Sequence, residues 1–354
     1  MPAVEVNGTK INYLQLDSDA GPDAEHLVMV HGLATNMAFW YIRHAPEFAK
    51  RYKVTLFDLR GHGRSRVTEN GYTPANMAAD MLGLMDHLAI PKAHVMAHSF
   101  GGVVALNFAC NAPERVESLM LIDSHISAIR KLETVEGWDY GDKLQVLLHD
   151  QGIDINVKEP YFGYRLLAEV ALLQEQKIEI SPELKEIVTP IVGNYGNRTA
   201  KLWLKLLNTT AAEKELMGDD GLALDMLKQL KFPILAVYGE HSQSMLTGRH
   251  LLEVWPHADF RKMLRAGHFF PTTRPDELIS TCEQFWHGAM VSGVSIRDGD
   301  NKRHFRSERF EQRDDGWYFS TRDGEEGPFE TVESAQEMLS FYITQVKDSK
   351  VAQA

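Results

Sequence analysis

Apolar runs of strand length alternate with stretches of helical periodicity along most of this chain, and that alternation restricts the fold more than any other feature. HLVMVHG (26–32) and KVTLFDLRG (53–61) are mostly apolar and end in glycine. AHVMAH (93–98), ESLMLID (117–123), FPILAVYG (232–239) and ADFRKMLR (258–265) continue the series. Runs apolar at nearly every position, rather than at every second one, suit strands buried on both faces, as in a parallel sheet. MAFWYIRHAPEFAKR (37–51), TPANMAADMLGLMDHLAI (73–90), GGVVALNFACNAP (101–113) and DELISTCEQFWHGAM (276–290) read as helices. Thr73 before Pro74 makes a good N-cap and first helical position. Near the start, VEVNGTKINYLQL alternates around Asn7-Gly8. That pair accepts positive φ and predicts an antiparallel hairpin. Together these elements predict an α/β fold: a doubly wound, mostly parallel sheet with right-handed crossovers.

Two segments leave the pattern. Residues 124–228 are helix-rich and carry Trp138, Tyr140, Tyr161, Phe162, Tyr164, Tyr195 and Trp203. An insertion between two strands of one sheet can cover the strand ends as a lid. Its aromatics either form the lid's own core or line a pocket beneath it. From about 293 the chain is dense in charge, and WYFSTRDGEEGPFE then reads as two short strands around a turn. TVESAQEMLSFYITQV follows with an apolar helical face. The expected organisation is a core of 1–123 and 229–290, a helical lid of 124–228, and a linker with a small ββα-type module over 291–354.

At 354 residues and 44% hydrophobic, the chain is long enough for one large core. Its net charge of −12 argues against nucleic acid. Two cysteines, Cys110 and Cys282, make no disulfide framework and suggest a reducing compartment. The N-terminal MPAVEVNGTKINY lacks the pattern of a secretory signal, and no apolar tract is long enough to span a membrane. A cytoplasmic location is the expectation. No spaced cluster of His, Cys and carboxylates suggests a metal, and no cofactor is expected.

The stretch VMAHSFGGVVAL carries the chemistry. A strand ends at His98, Ser99 follows, and Gly101-Gly102 open a helix. The spacing is that of G-x-S-x-G with Ala97 in the first glycine position. Small residues let strand and helix meet at a tight turn, which lifts the Ser99 hydroxyl to the sheet's edge beside the Phe100 N–H.

With HGL (31–33), DLRGHGRS (58–65), AHSFGG (97–102), VYGEHS (237–242) and RAGHFFP (265–271) in this order, residues 1–290 resemble the α/β-hydrolase fold superfamily. The likeness is to its lidded group of esterases, C–C hydrolases, haloalkane dehalogenases and epoxide hydrolases. The resemblance implies an oxyanion hole from the Leu33 and Phe100 N–H groups, with His268 as general base. It makes His31 a loop-shaping residue, and Asp58, Arg60, His62 and Arg64 structural.

The family usually keeps its acid three residues after the strand glycine, but Ser242 stands there. The acid's work needs a carboxylate near the histidine rather than a particular strand. The resemblance includes dehalogenases with the acid one strand earlier, which points to Asp123. Asp123 as a cap of the first lid turn, and Glu240 as the acid, are the competing readings. A serine rather than an aspartate at the elbow suits attack on a carbonyl and an acyl-enzyme.

The expected activity is hydrolysis of a small-molecule ester or thioester. A C–C bond hydrolase of β-diketone-like substrates, or a non-catalytic binding protein on the same fold, are the alternatives. The tail GWYFSTRDGEEGPFETVESAQEML weakly resembles GYF-like modules. It is read as a protein-docking or dimer contact, or as a stability appendage.

Overall fold

The computed structural model describes residues 1–132, 139–159, 162–187, 196–291, 310–313, 316–320 and 325–329. The chain divides into two compact units, Met1–Gly293 and Val294–Ala354.

The first unit is built on an eight-stranded sheet. Its strands are β1 (Ala3–Val6), β2 (Thr9–Leu16), β3 (His26–Val30), β4 (Lys53–Phe57), β5 (Ala93–His98), β6 (Val116–Ile122), β7 (Ile234–Gly239) and β8 (Asp259–Met263), in the spatial order β1-β2-β4-β3-β5-β6-β7-β8. The hairpin β1–β2 turns at Asn7 and Gly8, both at positive φ, and β2 pairs antiparallel with β4. Every pairing from β4 to β8 is parallel. Helices cover both faces, so β5 and β7 are buried at every position.

Local signals explain most boundaries. Thr73 caps the helix Pro74–His87 by accepting from the Asn76 N–H. The stretch 37–51 forms two short helices, Ala38–Tyr41 and His44–Ala49, rather than one. Pro46 lacks an N–H to continue an earlier helix but is tolerated in the first turn of a new one. The loop after β4 is tied by buried charges. The Asp58 carboxylate accepts from the Met37 and Arg64 N–H groups, and Arg60 grips Asp80 with two nitrogens. Between β6 and β7 the chain is helical, with Asp139–Asp150, Phe162–Glu175 and Gly196–Thr209 as its longer pieces.

The second unit has three antiparallel strands, β9 (Phe310–Arg313), β10 (Gly316–Ser320) and β11 (Glu325–Phe329), in the order β11-β10-β9. The sequence predicts two strands here and a charged linker where β9 lies. A two-stranded ribbon is marginal alone, and FEQR supplies the third strand. The expected helix at 331–346 lies outside the described residues.

Candidate active site

Ser99 stands between β5 and the helix Phe100–Asn111 at φ 55° and ψ −125°. Such a conformation costs a serine on the order of 1–3 kcal/mol and persists only where the surroundings impose it. Here they do. The Ser99 N–H donates to Ile122 O, and Gly102 N–H donates to Ser99 O, both at 2.9 Å. A Cβ on Gly101 would come 2.5 Å from His31 O, and one on Gly32 would come 3.0 Å from Ser99 Cβ. The glycines therefore allow the helix and the loop after β3 to close on the serine.

His268 follows β8, with Nε2 2.9 Å from Ser99 Oγ and Nδ1 2.5 Å from Asp123 Oδ2. Asp123, just past β6, is fully buried and at φ 51°. Its N–H donates to Val237 O at 2.8 Å, and its Oδ1 accepts from the Gly239 N–H at 2.7 Å. Ser242 Oγ donates to Oδ2, the same oxygen that faces His268. A carboxylate that accepts the Nδ1 proton leaves the Nε2 lone pair pointing at Ser99.

Glu240 is turned elsewhere. Its Oε2 accepts from the Arg265 N–H at 2.7 Å, and its Oε1 lies 3.4 Å from Lys262 Nζ. Leu33 lines the cavity above Ser99, and Phe100 opens the helix. Among the described residues neither of their N–H groups has a protein acceptor.

Three histidines frame these groups. His31 Nε2 accepts from the Leu59 N–H at 3.0 Å, and its Nδ1 lies 2.7 Å from Gly32 O. Burial pushes its pKa down to about 4, as befits a neutral clamp for the loop. His98 stacks on Phe39 at 4.6 Å, and its Nε2 donates to His268 O at 3.0 Å. Burial holds it well below the usual histidine range. His125 follows Asp123 by two residues and lines the cavity, and burial pushes its pKa to about 4.

The cavity measures about 390 Å³. Of the aromatics between β6 and β7, Tyr140, Phe162 and Tyr164 line it, whereas Trp203 is buried in the core. Trp138, Tyr161 and Tyr195 lie outside the described residues. From the sequence alone, Ser242 has no role beyond its departure from the expected acid. The signal was a hydroxyl at one strand end beside a carboxylate at the next. Among the described residues no group of His, Cys, Asp and Glu is arranged to hold a metal ion, and no helix is long and apolar enough to cross a membrane.

An eight-stranded, mostly parallel sheet with helices on both faces and a nucleophile-type turn after β5 is the α/β-hydrolase fold. The family model for that fold matches residues 25–162. Residues 296–348 match a family described only as a domain of unknown function, DUF6316. The GYF-like reading of the tail finds no support there.

A Caulobacter vibrioides protein named for carbamate hydrolysis, RutD, is 28% identical over 309 residues, spanning 79% of this chain and 97% of that one. A dihydrolipoyllysine-residue acetyltransferase component of the Pseudomonas putida acetoin cleaving system is 39% identical over 120 residues, 34% of this chain. That match spans only 31% of the P. putida protein's length. The enol-lactonase of Burkholderia xenovorans LB400 superposes with a TM-score of 0.58 at 22% identity, covering 81% of this chain and 100% of the lactonase.

Proposed function

We propose that this chain is a serine hydrolase that cleaves an ester or thioester through an acyl-enzyme. The carrying observation is the hydrogen-bonded line from Asp123 through His268 to Ser99, which opens into a cavity of about 390 Å³. Ser99 Oγ attacks the scissile carbonyl while His268 Nε2 takes its proton. Asp123 holds the imidazole in the productive tautomer and stabilises the imidazolium. The Leu33 and Phe100 N–H groups receive the oxyanion of the tetrahedral intermediate. His268 then returns the proton to the leaving group. Water repeats the sequence on the acyl-enzyme and frees Ser99. Carbamates share the carbonyl and the leaving group, so the activity named for RutD falls within the same chemistry.

A fluorophosphonate probe tests the reading directly. It should label Ser99 and no other serine, and esters, thioesters and carbamates of graded length should be turned over. A protein with an intact fold that neither reacts with the probe nor hydrolyses any of them would instead be a binding protein.

A further inference from the structure

The cavity has two unlike walls. Leu144, Phe162, Leu166 and Leu167, from the helical segment between β6 and β7, form an apolar one. The carboxyl ends of β6 and β7 form the other, with His125, His241 and Gln243. Gln243 Nε2 already donates to Val157 O at 2.7 Å. The His241 ring stacks on Tyr140 at 4.6 Å with 6° between planes, and its ring nitrogens make no hydrogen bond among the described residues.

His125 has neither a stacking partner nor a ring-nitrogen hydrogen bond among the described residues, although it is only partly accessible and lines the cavity. The nearby Asp220 is occupied by the Ser127 and Leu222 N–H groups at 3.2 and 3.0 Å. A half-buried polar ring carries a desolvation cost that a partner in the cavity would relieve.

Burial, followed by the charge of Arg130, keeps this imidazole neutral at physiological pH. One nitrogen then donates and the other accepts. That pairing matches a hydroxyl or a carbonyl oxygen, and it gives a carboxylate one N–H without a countercharge. The arginines that line the cavity, Arg265 and Arg274, come from the segment after β8 instead, and Arg274 donates to Leu264 O and Arg265 O.

We propose that His125 forms a subsite for an uncharged hydrogen-bonding group, a hydroxyl or keto oxygen, that the substrate carries in addition to its scissile carbonyl. The proposal rests on the hydrolase reading and names its substrate class: hydroxy- or oxo-substituted carbonyl compounds. A cavity of about 390 Å³ limits their size.

The test compares kcat/KM for ethyl butyrate, ethyl 3-hydroxybutyrate, ethyl 3-oxobutyrate and monoethyl succinate. Propyl and 2-hydroxyethyl butyrate form a second pair, which moves the hydroxyl to the leaving-group side. The wild-type protein should favour the hydroxy or oxo member of at least one pair by about tenfold or more, because a site built to bond that oxygen penalises its absence. In His125→Phe the ratio should fall to within about twofold of one, and His125→Gln should retain part of it, since the amide still donates and accepts. The ratio cancels any loss common to both substrates. A wild-type ratio near one, a preference that survives His125→Phe, or a preference for the succinate monoester overturns the subsite. Those outcomes leave the hydrolase reading intact, because ethyl butyrate is still cleaved. No turnover of any ester, with Ser99 unlabelled by fluorophosphonate, overturns both.

Discussion

Replacing Asp123 by asparagine tests the line of hydrogen bonds at its most constrained member. The carboxylate is fully buried and meets three donors: the Gly239 N–H on Oδ1, and His268 Nδ1–H and Ser242 Oγ–H on Oδ2. An amide has one acceptor oxygen to offer. If that oxygen stays on the Gly239 N–H, the NH₂ faces His268 and favours the tautomer protonated at Nε2. That proton then points at Ser99, and the base can no longer accept. If the amide flips instead, its NH₂ opposes the Gly239 N–H, leaving a buried donor unmet at about 1–3 kcal/mol. The first arrangement costs less, so the wrong tautomer should dominate. In a comparable triad that change costs about 10⁴-fold. We expect at least ~10²-fold in kcat here, equivalent to ~2.7 kcal/mol of barrier.

Steady-state kinetics on a short ester at neutral pH, with circular dichroism as a check on folding, measures the effect. Glu240→Gln should stay within a few-fold of wild type, because Glu240 faces the Arg265 N–H and Lys262. Ser242→Asp brings a second carboxylate against Asp123, and two such charges about 4 Å apart repel by roughly 4 kcal/mol at an effective dielectric of 20. The single variant should therefore lose stability or retain a proton on the pair. In the Asp123→Asn background that repulsion is gone, and Ser242→Asp should recover part of the lost rate. A crippled Glu240→Gln beside a normal Asp123→Asn would refute the assignment of the acid.

Other outcomes follow from the same geometry. Ser99→Ala should fold normally and lose roughly 10⁴–10⁶-fold in kcat; near-normal turnover would end the serine-hydrolase reading. Ser242→Ala removes one of three donors to Asp123 and should lower kcat with little change in KM, while Ser242→Thr keeps most of the rate; a change confined to KM would contradict the role. Removing residues 294–354, the second compact unit, should leave a folded and active hydrolase, because the first unit contains the whole candidate site; a soluble but inactive product would show that the tail contributes to it. Burial depresses His31, His44 and His62 to about 4 in the folded protein. Unfolding restores about 6.5, so the unfolded state binds more protons between those values and stability falls as pH drops through that window. Each ring should cost roughly 1 kcal/mol at pH 5.5, and the urea midpoint should drop steeply from pH 6.5 to 5; a flat midpoint would mean the rings are not held neutral.

Short-range rules were sufficient for the strands, most helices and the turn at Ser99. Continuous apolar runs imply parallel strands, Thr73-Pro74 starts a helix, and the glycines around Ser99 admit a conformation that larger residues exclude. Where a decision depended on contacts between distant segments, the sequence left it open. Asp123 and Glu240 both follow strand ends, and the resemblance favours Asp123 without showing which donors meet either carboxylate. The pairing of β6 with β7 supplies those donors: it brings the Gly239 N–H and the Ser242 hydroxyl onto Asp123, while Glu240 accepts from the Arg265 N–H. Likewise, composition could not sort the aromatics between β6 and β7 into cavity and core, and the charged FEQR became a strand by pairing with β10. A buried carboxylate is defined by the donors that surround it, and those come from segments 116 to 145 residues away in the chain, where only the folded sheet brings them within reach.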